Sequence, residues 1–213
     1  MNIVVRSLSD QTYEIVRRRI LVGAMQPGAA VRQDVIAAEL GVSKIPLREA
    51  LGRLEQDGLL KSYPNRGYVV RDLSTDEASE VFALRLKLEP GAVADACVRA
   101  TPGDHADAEK ALAALEAELA KPDGDHVSLN RAFHLALMRP GGHITFQLME
   151  RLQILAERYV RVHLEPNGRD ERASREHREI LDAWIRGDAK TVEALTANHI
   201  RGTLSDLKQQ LAG

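Results

Sequence analysis

Cysteine is nearly absent from this chain. Cys97 is the single one in 213 residues, which excludes an internal disulfide and fits a reducing compartment such as the cytoplasm. It reads as a small buried apolar residue, with redox chemistry as the alternative. Aromatic residues are also scarce, at 4% against a hydrophobic content of 44%, so a core has to be built from Ala, Leu and Val, as in packed helices. No run of about 18 apolar residues occurs, and no membrane-spanning helix is expected. The N-terminus lacks the basic and then apolar order of a secretory signal. Charge of one sign is not in excess either. The balance of 29 Lys and Arg against 31 Asp and Glu leaves a net −2, which gives the chain as a whole no general attraction for a polyanion.

The charge that is present is unevenly spread. Residues 1 to 72 carry 11 Lys and Arg against 8 Asp and Glu, a net +3, whereas the remainder carries 18 against 23, a net −5. That asymmetry suits a nucleic-acid-binding head on a body that does not touch the polyanion. Arg17-Arg18-Arg19 belongs to the head and reads as a solvated helix face, with phosphate contact as the alternative. A length of 213 residues accommodates one large or two modest domains. The division is expected near Asp72-Leu73-Ser74, with domains at 1–72 and 75–213. Ser74 followed by Glu77 has the spacing of a capping box, so a helix opens there.

Within the head, Val31 to Arg71 reads VRQDVIAAELGVSKIPLREALGRLEQDGLLKSYPNRGYVVR. Asp34 to Leu40 has helical spacing, with Val35, Ile36, Ala38 and Leu40 as apolar candidates, and Gly41 supplies the permissive backbone of a turn. Ser43 is placed to cap the next helix, and Pro46 falls in its first turn, where a missing N–H costs little. Leu47, Leu51 and Leu54 put one face of that helix inward, leaving Lys44, Arg48 and Arg53 for solvent or a partner. Asp57-Gly58 ends the helix. Leu59-Leu60 and Tyr68-Val69-Val70 then form two short strands around Pro64-Asn65-Arg66-Gly67. The order of elements is that of a winged helix-turn-helix.

A helix of this size enters the major groove of DNA, and an arginine near its start can hold guanine O6 and N7 together. Arg48 is the first candidate for that contact. Lys44 is placed for phosphate or base, and Asn65 and Arg66 for the backbone or the minor groove. The alternative is a set of solvated charges on a structural helical hairpin. The runs GVSKIPLREALGRLEQDGLL and PNRGYVV, with the opening TYEIVRRRILVGAMQPGAAVRQDVIAAEL, resemble the winged-helix domain of the GntR family of bacterial transcription regulators over residues 8 to 72. The resemblance implies DNA contacts at Ser43, Lys44, Arg48, Asn65, Arg66 and Gly67, and Arg32 is a further DNA-binding candidate. It also shows two departures. The family most often has Arg where Lys44 stands, and Thr is common where Ile45 stands. Lysine keeps the charge but loses the bidentate fork.

After Ser74 no strand pattern, low-complexity stretch or internal repeat is found. Helices are expected at 75–88, 90–100, 104–120, 126–138, 143–164, 170–187 and 188–211. Pro90 is expected to break or kink the first pair. Pro102-Gly103, Pro122-Asp123-Gly124, Pro140-Gly141-Gly142 and Pro166-Asn167-Gly168 punctuate the rest. The fold class is therefore mostly α, a winged helix-turn-helix followed by an all-α antiparallel bundle. Asn130 and His134 share a helix face at i, i+4, and His177 and His199 fall on two later helices that the Gly187-Asp188 break lets fold back on each other. Facing helices of a bundle can bring such side chains to one point. Three neutral imidazoles suit zinc, nickel, copper or iron, with open positions for water or a small acid. On spacing alone, independent packed or surface histidines are the alternative.

The segments SLNRAFHLAL, REHREILDAWIRGD and VEALTANHIRG, with DEASEVFALRLKLEPGAVADA, resemble the FCD domain, the effector-binding body of the FadR subfamily of GntR regulators. There an Asp and three His hold a metal, and the matching positions here are Asn130, His134, His177 and His199, for a divalent ion such as zinc or nickel. Asn130 is the departure: its amide oxygen lacks a carboxylate's charge and holds a dication less strongly. His105, His126, His143 and His163 fall outside the motif and read as surface or packing residues, with a minor ligand role as the alternative for His163, at the end of a helix. Arg85 interrupts the apolar face of Val81, Phe82, Leu84 and Leu88. It is a candidate to grip an effector carboxylate, with an ion pair to Glu89 as the alternative. The expected protein is not an enzyme. It is a homodimeric regulator of a double-stranded DNA operator, controlled by a small organic acid. Two rivals remain: a regulator whose body is a metal-free dimerisation module, and a metal-dependent hydrolase. The hydrolase lacks a His-Glu-x-x-His element and has only Glu176, beside His177, as an obvious general base.

Overall fold

The structure, a computed structural model, describes residues 7–119, 126–163 and 169–211. The chain divides into two compact units, Met1–Leu73 and Ser74–Gly213. Unit 1 holds α1 (Leu8–Leu21), α2 (Gln33–Leu40), α3 (Lys44–Gln56), β1 (Leu60–Tyr63) and β2 (Gly67–Val70). Unit 2 holds α4 (Thr75–Cys97), α5 (Pro102–Leu119), α6 (His126–Met138), α7 (His143–His163), α8 (Arg169–Ile185) and α9 (Ala189–Leu211). Among the described residues no helix is long and apolar enough to cross a membrane.

In unit 1, Ser7 and Asp10 close a capping box on α1, satisfying amides that have no partner inside the helix. Tyr13, Val16 and Ile20 of α1 and Leu47, Leu51 and Leu54 of α3 are buried, and the two helices pack on each other. Burying one such leucine contributes about 1.5–3 kcal/mol. Gly41 caps α2 at φ 64°, a left-handed conformation open to glycine at little cost. The strands are antiparallel, with Leu60 opposite Val70 and Tyr63 opposite Gly67, and Ala30 bridges to Val69. The first strand therefore continues past Leu60 to Tyr63, and Asn65, at φ 61°, sits at the tip of the turn.

Three expectations for this unit are corrected. Of the apolar candidates in α2, Ile36 is buried as expected and Leu40 half-buried, but Val35 and Ala38 are exposed, and Ala37 turns inward with Ile36. Ser43 occupies the N-cap position, but its side chain makes no capping hydrogen bond. Arg17 is buried, with Glu14 at 3.5 Å, so the arginine triplet is not uniformly solvated. Arg53 stays exposed as expected, while donating to Asp10 at 2.6 Å and lying 4.4 Å above the Tyr13 ring.

In unit 2, α4 runs unbroken through Pro90, against the expected interruption. Pro90 cannot donate to the Leu86 carbonyl, yet buried neighbours hold the helix on both sides. Glu89 is bound by Arg85 and Gln153, and Val93, Ala96 and Cys97 lie in the core. Pro102 does not precede α5 but opens it, at the first helical position where proline is tolerated, behind Thr101 and Asp104, which bond each other's backbone N–H. The expected loops at Pro122-Asp123-Gly124 and Pro166-Asn167-Gly168 lie outside the described residues. Gly187, at φ 71°, and Asp188 separate α8 from α9. Those two helices run antiparallel, since Arg172 pairs with Asp206 and Glu176 with His199. The core gathers Trp184, Phe133, Leu112, Leu115, Leu137 and Val192. Cys97 belongs to it, its sulfur 3.3 Å from the Trp184 carbonyl, and burial followed by the Asp188 charge pushes its thiol up, away from the reactive thiolate.

Candidate functional site

On unit 1 the sequence places chemistry at the start of α3. Leu47, Ala50, Leu51 and Leu54 take the inner face, so Lys44 and Arg48, one turn apart, share the outer one. Both are exposed, as are Ser43 and the 70% exposed Ile45 between them. Lys44 is held by Asp34 of α2 at 2.6 Å, and that ammonium draws the Asp34 carboxyl below its ordinary range. Arg32, Asn65 and Arg66 are exposed, and Gly67 is partly covered. The result is an exposed cationic helix start and an exposed cationic hairpin tip within one compact unit.

In unit 2 the packing of three separate helices brings His134 of α6, His177 of α8 and His199 of α9 together. One ligand nitrogen from each lies within 4.8 Å of the others. All three side chains are buried, at 1%, 1% and 6% exposure. Nε2 of His177 stands 3.3 Å from Nε2 of His199, and Nε2 of His134 is buried without a hydrogen-bond partner among the described residues. Burial, then the neighbouring His177, His199 and Arg85, hold the His134 imidazole well below its ordinary protonation range. A neutral ring keeps a lone pair for coordination. A buried polar nitrogen is seldom left unsatisfied, and the orphaned His134 Nε2 beside the other two rings fits a divalent ion such as zinc or nickel. Asn130 is half-buried one turn before His134, on the same face of α6.

Arg85 is buried and already engaged. Its Nε donates to Glu89 Oε2 at 2.8 Å and its Nη2 to Glu89 Oε1 at 3.3 Å, while Gln153 Nε2 donates to Oε1 at 2.8 Å. Of the two readings for this arginine, the ion pair with Glu89 is formed. The same Oε1 lies 3.4 Å from His134 Nδ1. Of the face expected around Arg85, Val81 and Phe82 are buried but Leu84 and Leu88 are exposed.

Reasoning from sequence missed part of this surround. Glu89 entered only as a possible partner of Arg85, although its i, i+4 spacing was visible. Gln153 carried no local signal, since its contact with Glu89 spans 64 residues. Glu176, considered as a base beside His177, instead meets His199 Nδ1 at 2.7 Å. Arg131, Glu157 and Ser128 form a further cluster, with Glu157 3.0 Å from each of the other two. Among the remaining histidines, His105 stacks edge-on against Trp184, His126 is half-buried and His143 is exposed. The His163 side chain lies outside the described residues.

Comparison with known proteins covers both units. Residues 80–202 match the FCD domain, and residues 8–70 match the bacterial regulatory proteins of the gntR family. The HTH-type transcriptional regulator McbR of Escherichia coli is 31% identical over 150 residues, which is 70% of this chain and 68% of that one. The uncharacterized HTH-type transcriptional regulator YdhC of Bacillus subtilis is 27% identical, over 94% of this chain and 91% of its own. The solved structure of E. coli McbR/YncC aligns with 97% of this chain and all of that one, at a TM-score of 0.83 and 26% identity.

Proposed function

The chain belongs to the gntR family of bacterial regulatory proteins and carries an FCD domain, and from that membership we propose a transcription regulator whose hold on DNA is set by a small organic acid. In this reading residues 1–72 bind DNA, and residues 75–213 bind the effector and form a homodimer in the cytoplasm. A dimer presents two α3 helices to half-sites about 34 Å apart on a pseudo-palindromic operator. Arg48 reads a base edge. Lys44 and Arg66 meet phosphates, and Arg32, Ser43, Asn65 and Gly67 complete the contact surface.

The observation that carries the reading is the convergence of three buried imidazole nitrogens within 4.8 Å, in the same chain as an exposed cationic α3. His134, His177 and His199, with Asn130, would hold the ion, and the ion would offer a Lewis-acidic position to an effector carboxylate. Arg85 meets that carboxylate only by leaving Glu89, so the acid competes with a buried ion pair. Control of DNA binding then requires the acid to bind the DNA-competent and incompetent states with different affinity.

Elemental analysis of protein purified without a metal-affinity tag, followed by operator binding under a titration of small carboxylic acids, tests the proposal. The expected result is about one metal per chain, lost in His134→Ala, and a change of DNA affinity with one class of acid. No metal in the wild type favours the second reading, for which the neutral amide of Asn130 speaks: a body that serves dimerisation alone. A hydrolase is disfavoured because the carboxylate of Glu176, its one obvious base, is engaged with His199.

A further inference from the structure

We propose that Glu176 is a positioning residue of the three-histidine centre, fixing which nitrogen of His199 faces the shared point and adding negative charge behind it. The inference rests on the metal reading above and concerns residues outside the four ligand candidates. Glu176 precedes His177 on α8, so the two side chains leave the helix about 100° apart. His177 turns inward, and Glu176 reaches across to α9, its Oε2 2.7 Å from His199 Nδ1.

A neutral imidazole carries one N–H and one lone pair, and an ionised carboxylate only accepts. The contact therefore places the proton of His199 on Nδ1 and its lone pair on Nε2. That Nε2 is the atom 3.3 Å from His177 Nε2, at the centre. Without Glu176 the ring is free to carry its proton on Nε2, where it blocks coordination. The carboxylate is itself anchored. Arg172, one turn earlier on α8, has its Nε 3.6 Å from Glu176 Oε1 and pairs with Asp206 of α9. On the opposite side Glu89 stands 3.4 Å from His134 Nδ1, so two carboxylates back two of the three rings. Asn130 brings no charge to the donor set, which leaves these carboxylates to provide the anionic field that favours a dication. Partners of this kind behind metal-bound histidines typically change metal affinity roughly 10- to 100-fold.

A merely structural bond between α8 and α9 would weaken the fold and leave the metal affinity of folded protein alone. The experiment is a competition titration of full-length wild type, Glu176→Leu and Glu176→Gln with Zn²⁺ and Co²⁺ against a chromophoric chelator. The visible Co²⁺ spectrum and the melting of metal-free protein are recorded alongside. Glu176→Leu is expected to weaken both ions roughly 10- to 100-fold and to alter the Co²⁺ bands. Glu176→Gln keeps the size and an acceptor oxygen but not the charge, and is expected to weaken binding to a smaller degree. Should Glu176→Leu fail to fold, Glu176→Gln carries the test alone. Wild type with one equivalent of metal and folded variants within twofold of it overturns the positioning role and leaves the metal reading intact. Wild type that takes up neither ion overturns both.

Discussion

Arg48 and Arg85 are both arginines on helices that pack one face inward, and their fates differ because of what lies opposite. Arg48 lies outside the Leu47, Leu51 and Leu54 face and stays exposed, so its side chain is free to meet a base edge. Arg48→Ala is expected to weaken specific operator binding by about 1–3 kcal/mol, the range for losing one bidentate base contact. Thermal unfolding should be unchanged, because no buried contact is removed; undiminished operator affinity in a mobility-shift titration would remove Arg48 from the reading surface. Arg85, by contrast, lies where α7 passes, and Gln153 helps hold its partner Glu89 in place. Both residues were legible as candidates from spacing. Which one would be sequestered was not, because burial of a long polar side chain is decided by the helix that covers it.

At the scale of elements, the turn chemistry reads directly from the chain. Gly41 and Gly187 stand where a left-handed residue is required, and Ser74 accepts from the Glu77 amide where a helix opens. Pro90 is the exception. Its ring forbids one hydrogen bond, at about 3 kcal/mol in an unsupported helix, but core burial on either side keeps α4 whole. The pairing of α1 with α3 depends on burial in the same way. Leu51, fully buried in unit 1, is expected to destabilise that unit by about 2–5 kcal/mol as Leu51→Ala, as read by urea unfolding. Metal content should be untouched, since the histidines belong to unit 2; a loss of metal in this variant would contradict the division of labour between the units.

For the whole molecule, a net charge of −2 conceals a head of +3 and a body of −5. Operator affinity is therefore expected to fall linearly in log–log form with salt, with a slope of about −0.9 per phosphate contacted. Lys44→Ala should flatten that slope by about one unit if the lysine meets phosphate; an unchanged slope would assign it to bases or to Asp34 alone. The sequence by itself determined the winged helix-turn-helix, the helical body, the exposed start of α3 and the four histidine-site candidates. These follow from interactions between residues a few positions apart: apolar periodicity, capping, glycine turns and the four-residue spacing of a helix face. Only the tertiary structure decided that three rings from α6, α8 and α9 share one buried point, that Glu89 joins Arg85 to Gln153, and that Glu176 serves His199 rather than its own neighbour. Apart from Arg85 with Glu89, those pairings join positions tens of residues apart, and the side chains involved are long enough to point several ways. Their direction is set by the packed helix opposite, which no local pattern in the chain specifies.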